Sequence, residues 1–223
     1  MKTPKILPFA SGTKDGGGSG FENLYHAIES GILRAEMVGV ASNHLHGGVR
    51  ERADRLKIPF YFMGSDPTAD DYQRIAEDSQ ADFFPLSGLL KKVKGLDLNT
   101  VFNSKTVFNI HPGLLPTFGG FGMHGHHVHE AVFEAYQKKL LTCSGLTMHF
   151  VDEEFDHGPT FLELKIFLSG IQNPEQLGSL VNSYEHRYQP YITDLVVNGQ
   201  ISWDGQNPDS LIVPADYQIS QWA

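Results

Sequence analysis

The chain has 223 residues, 40% of them hydrophobic and 19% charged, with a formal net charge of −9. That length gives one α/β domain enough interior to fold without cross-links, and no apolar run approaches the ~20 residues a membrane-spanning helix needs, which excludes a membrane role. The acidic balance opposes a nucleic-acid partner, because such binding draws on clustered Lys and Arg, and the single cysteine, Cys143, excludes an internal disulfide and points to the cytoplasm.

The apolar run 5–9 leads into a glycine-rich loop and not a cleavage site, so it reads as a first strand. Further strands are expected at 37–41, 60–62, 82–86 and 106–110. Between them, 21–33, 46–56, 68–79 and 129–138 carry apolar residues at three- and four-residue spacing and read as helices. Strand and helix in alternation imply crossover connections, hence an α/β fold with a doubly wound, mostly parallel sheet. The rhythm then changes: strands at 146–151 and 160–167 lie close in sequence and predict a mixed C-terminal edge. A long helix over 173–197 follows, closed by Asn198 and Gly199, which take the left-handed cap conformation cheaply. The remainder, with Pro208 and Pro214, reads as a hairpin and tail. No repeat or linker divides the chain, so a single domain over 1–223 is expected.

Three segments carry candidate chemistry. The loop from Ser11 to Gly20 joins the first strand to the first helix, where exposed N–H groups and glycines suit an anion. The dinucleotide and P-loop patterns both fail in it, and a ligand-free turn is the plain alternative. At the carboxyl end of the fifth strand, Asn109 and His111 stand two apart and project to one side, where open α/β sheets bind ligands. Pro112 and Pro116 stiffen the loop that follows, with Pro112 a candidate for a cis bond. The third segment is an acidic loop in which Asp152, Glu153 and Glu154 read as solvated, whereas Asp156 is constrained by Phe155 and by His157, Gly158 and Pro159.

These segments resemble the glycinamide ribonucleotide formyltransferases and their relatives that use 10-formyltetrahydrofolate. The family's Asn-Ile-His-Pro-x-Leu-Leu-Pro matches Asn109 to Pro116, its His-Phe-Val…Asp-x-Gly-Pro matches His149 to Val151 and Asp156 to Pro159, and its late Glu-His matches Glu185 and His186. The resemblance runs from about Ile6 to Trp203 with motif order kept. It implies a folate-dependent formyltransferase of purine biosynthesis, with 10-formyltetrahydrofolate as co-substrate and no metal. On this reading 1–105 is a phosphate-binding half, 106–203 a catalytic and folate-binding half, and 204–223 a tail.

By similarity, Asn109, His111 and Asp156 are catalytic: Asn109 donates to the developing oxyanion, His111, held protonated or partly so by Asp156, donates to the same oxygen, and Asp156 relays the amine proton directly or through a water. Leu86, Gly88, Leu89, Leu90, Lys91 and Val93 hold the folate, and Gly18, Ser19, Gly20, Asn23, Pro112 and Glu185 hold the acceptor. Small-molecule partners and a monomer or homodimer are expected. Three departures stand out. The phosphate loop is longer than the family's, which leaves Ser19 and Asn23 as alternative phosphate ligands; Lys91 replaces an Arg and loses its two-pronged carboxylate contact; and 117–144 is lengthened. That last stretch holds His124, His126, His127 and His129, whose irregular spacing favours substrate contact over metal binding. An amino sugar nucleotide as acceptor, an idle binding module and a nicotinamide oxidoreductase are the weaker readings.

Overall fold

The near-continuous apolar run after Lys5 is what a strand buried on both faces requires, and Ile6, Leu7, Phe9 and Ala10 are fully buried. The computed structural model describes residues 2–13 and 16–223. In it β1 (Lys5–Ile6) runs parallel to β2 (Glu36–Met37), and β3 (Val40–Ser42) parallel to β4 (Phe60–Phe62). Pro8 has no N–H to give, so the expected strand 5–9 breaks its ladder and continues as single bridges from Phe9 to Ala41 and to Leu86. These bridges place the chain after β1 between β3 and β5 (Phe84–Leu86).

From β5 the sheet continues in parallel to β6 (Val107–His111), then antiparallel to β7 (Cys143–Phe150) and β8 (Thr160–Phe167). This is the expected doubly wound sheet with a mixed edge. The tail departs from expectation. Its Ser202–Ile212 bridge forms the hairpin, but the chain then returns as β9 (Ser220–Trp222), parallel to β8.

The helices are α1 (Ser19–Glu29), α2 (Gly48–Leu56), α3 (Ala69–Ser79), α4 (His126–Gln137) and α5 (Pro174–Val197). Capping chemistry sets several ends. Thr68 and Asp71 form a reciprocal capping box on α3, and the Asn173 side chain accepts from Gln176 N–H with Pro174 opening α5. One core packs Phe9, Tyr72, Phe84 and Phe102 under β1 and β5; the larger one joins β6, β7 and β8 to α4 and α5. Both leave the carboxyl ends of β5 and β6 open.

Candidate active site

A cavity of about 480 Å³ opens at those strand ends. Its walls come from the glycine loop before α1, the segment after β5, the end of β6, the arm leading into α4, and one face of α5. Asn109 and His111 point to the same side of β6, and both line it. The β6–β7 register sets His149 directly opposite Asn109, so a second imidazole enters the group. The His149–Val151 motif alone assigns His149 no role; only the register, which depends on long-range pairing, reveals its place.

The hydrogen bonds define the nitrogens. His149 Nδ1–H donates to the Phe150 carbonyl at 2.7 Å, leaving Nε2 to accept from the Asn109 amide at 3.2 Å. His111 Nε2–H donates to the Phe118 carbonyl at 2.6 Å, so Nδ1 is the nitrogen that faces Asp156, 3.6 Å from its Oδ1. The same Oδ1 lies 3.7 Å from His149 Nε2, and Oδ2 accepts the Gly120 N–H at 3.0 Å. Asp156 sits in the left-handed region at φ 52°.

Electrostatics correct one expectation. Burial pushes the His111 pKa below the usual imidazole range and outweighs the opposing pull of Asp156 and the Phe118 carbonyl. His111 is therefore neutral at pH 7, and its Nε2–H is already given to Phe118, so it is not the standing cationic donor that the sequence suggested. For Asp156 burial acts upward, but a proton carried toward it by His149 or His111, together with the Gly120 N–H, holds it below the usual carboxylate range. The carboxylate is ionised.

Leu86, Gly88, Leu89, Leu90, Lys91 and Val93 all line the cavity, with Leu86 and Val93 buried and Leu90 at the rim. Ser11 ties this wall to the glycine loop, since its Oγ accepts the Leu90 N–H at 2.8 Å and its N–H donates to Gly88. Lys91 reaches toward the exposed Asp66 at 3.8 Å.

Gly18, Ser19 and Gly20 also line the cavity, with Gly18 the left-handed cap of α1 at φ 81°. Arg52 braces the loop from outside by donating to the Gly17 carbonyl at 2.9 Å. Lys14 and Asp15 of the same loop lie outside the described residues. Asn23 does not line the cavity: its amide is spent on the His186 carbonyl at 2.7 Å, so of the two alternatives Ser19 lines it, along with Thr13.

Pro112 and Glu185 line the cavity, although the cis bond falls at Leu115–Pro116 and not at Pro112. Burial raises the Glu185 pKa to about 7, against the lowering effect of its 3.2 Å bond from Asn182. The histidine group splits. His126 and His127 turn to Glu130, while His124 and His129 line the cavity, and burial drives the His129 pKa to about 4. Among the described residues, no three His, Cys, Asp or Glu side chains converge as metal ligands would.

Comparison with known proteins gives a family. The profile described as formyl transferase matches residues 5–193. The chloroplastic phosphoribosylglycinamide formyltransferase of Arabidopsis thaliana is 31% identical over 223 residues, covering 92% of this chain and 72% of that protein. The phosphoribosylglycinamide formyltransferase of Bacillus subtilis (strain 168) is 25% identical over 84% of this chain and 92% of its own. In fold, the crystal structure of phosphoribosylglycinamide formyltransferase from Anaplasma phagocytophilum superposes with a TM-score of 0.78 at 22% identity, covering 99% of both chains.

Proposed function

This chain belongs to the formyl transferase family, and we propose that it moves the formyl group of 10-formyltetrahydrofolate onto the amine of glycinamide ribonucleotide. The observation that carries this reading is one cavity with three kinds of wall: an anion-suited glycine loop, an apolar segment after β5, and Asn109, His111 and Asp156 between them. A transfer between two small molecules needs both partners seated on either side of the reacting groups. The cavity's size falls within the roughly 300–1,000 Å³ usual for such sites. Leu86, Leu89, Leu90 and Val93 offer apolar contact to a flat heterocycle, and Lys91 at the rim suits the donor's carboxylates.

One C–N bond forms at the acceptor amine, one C–N bond to the donor nitrogen breaks, and one proton passes from the first nitrogen to the second. Asn109 has one amide N–H held by His149 and a second free to meet the negative charge that develops on the formyl oxygen. Removing such a donor costs about 2.7–4 kcal/mol of barrier. Asp156, ionised, accepts the amine proton directly or through a water, and His111 Nδ1 stands ready to share it. The imidazolium that results is held by Asp156 on one side and the Phe118 carbonyl on the other. His111 thus serves best when it starts neutral, because it can then take the proton up and return it to the departing nitrogen.

The test is direct: the purified chain is given 10-formyltetrahydrofolate with glycinamide ribonucleotide, and tetrahydrofolate release is followed. Release that depends on this acceptor is expected. Donor consumption that ignores glycinamide ribonucleotide but follows an amino sugar nucleotide would replace the acceptor, and no consumption with either would remove the reading.

A further inference from the structure

Phe121 lies on the arm between β6 and α4, lines the cavity, and is 92% exposed. A large aromatic side chain left in water at a cavity rim has a face with nothing to cover it. Its one ring neighbour among the described residues is Phe155, at 6.2 Å and 69°, an edge-to-face pair. Phe155 also lines the cavity and is 41% exposed, and the Lys92 ammonium stands 5.4 Å over its ring. Three segments thus meet at the mouth: the arm, the acidic loop and the wall after β5.

The backbone holds Phe121 out deliberately. Gly120 and Gly122 flank it at φ 92° and 84°, and nothing lies within 4 Å of where their Cβ atoms would be. Glycine is needed there for the conformation alone, which keeps the ring away from the core. The base of the arm is fixed, because the Gly120 N–H is bonded to Asp156 and a Cβ on Gly119 would come within 3.2 Å of Asp156 Cβ. Phe121 is therefore the residue next to the one that touches the reacting carboxylate.

We propose that Phe121 is a specificity-determining residue for the formyl donor, forming with Phe155 an aromatic clasp on a planar ring of that molecule. The inference rests on the folate reading given above. It assigns the clasp to the donor because Lys92, which belongs to the 86–93 wall, stands over Phe155, and because glycinamide ribonucleotide has no aromatic ring to stack. Stacked or edge-to-face rings attract beyond their buried area, and Lys92 over Phe155 further favours a flat partner in the same slot.

Steady-state kinetics with both substrates varied test the clasp in Phe121→Ala and Phe121→Trp. In Phe121→Ala the donor KM is expected to rise about tenfold, or about 1.4 kcal/mol, with kcat and acceptor KM within about twofold of the parent. Phe121→Trp should restore the donor KM, and its added indole emission should be quenched on titration with tetrahydrofolate. An unchanged donor KM in Phe121→Ala, or a rise confined to the acceptor KM, overturns the proposal. Absence of turnover by the parent protein would instead defeat the substrate reading. The quenching titration then decides the clasp alone, and no change in emission overturns it.

Discussion

Asp156 is the carboxylate on which His111, His149 and the Gly120 N–H converge, and its ionised state is favoured by that N–H and by any proton the two rings carry. Asp156→Asn keeps the shape and removes both the charge and the basicity. Turnover is expected to fall about 10²- to 10⁴-fold, the range of general acid–base assistance, with little change in donor affinity. A variant with near-parental turnover on a verified acceptor would take Asp156 out of the mechanism. The pH dependence has a definite sign. Asp156 lies below its ordinary value of 3.8, so the ion, and whatever stability it contributes, is present above that value and is lost only as pH falls through the lowered one. The parent's kcat profile should accordingly show no loss assignable to Asp156 above pH ~5. At this scale the sequence made Asn109, His111 and Asp156 visible, because a strand's two-residue period and a proline-bounded turn are local features. It concealed His149, whose position depends on which strand pairs with which. It also concealed the neutral state of His111, because burial is a property of the packed molecule.

At the scale of elements, the start of α1 decides how the glycine loop meets the sheet. Gly20 sits in the first turn of α1, where an added Cβ would lie 2.1 Å from Ser87 Oγ and 3.6 Å from Gln189 Oε1. Ser87 follows β5 and Gln189 belongs to α5, and the two side chains are bonded to each other in a buried spot. Gly20→Ala must therefore push α1 and Ser87 apart and disturb the bond Ser87 makes to Gln189. Overpacking of this kind costs typically about 1–3 kcal/mol, and the displaced loop should raise the acceptor KM more than the donor KM. Thermal denaturation and a two-substrate kinetic analysis would measure the two effects, and a Gly20→Ala protein unchanged in both would remove this contact from the argument. The boundaries themselves show what is legible locally. The Thr68-to-Asp71 spacing and Asn173 before Pro174 announce the starts of α3 and α5, since capping is written in neighbouring residues. α1 starts at Ser19, two residues before the expected 21, because Gly18 caps it by backbone conformation with no side-chain bond. α4 starts at His126, three residues before the expected 129, for a like reason: Gly125 caps it without a side-chain bond.

At the scale of the whole molecule, alternation of strand and helix made the doubly wound sheet readable, whereas the C-terminal strand was not. Ser220, Gln221 and Trp222 have no apolar period of their own, and β9 exists because β8 offers them an open edge. Several bonds hold it: Glu163 N–H to the Ile219 carbonyl at 2.6 Å, Ala223 N–H to the Lys165 carbonyl at 3.0 Å, and the Tyr217 hydroxyl to the Phe161 carbonyl at 2.7 Å. Ser220 also donates to Glu163 and accepts from Lys165. Deleting 217–223 removes all of these and uncovers the edge of a long strand whose inner residues, Phe161, Leu162 and Leu164, are core. At about 0.5–1.5 kcal/mol net per hydrogen bond, less the chain entropy regained, the loss should come to ~2 kcal/mol. For a protein of this size that corresponds to a Tm lower by roughly 4–8 °C. An exposed edge also invites pairing with other chains, so the truncated protein should self-associate on size-exclusion chromatography as its concentration rises. Its activity well below the transition should stay at the parental level, because no residue of 199–223 lines the cavity. An unchanged Tm would show that β9 adds nothing to the sheet, and lost turnover in a truncated protein that is still folded would show that this edge communicates with a site the geometry places apart from it.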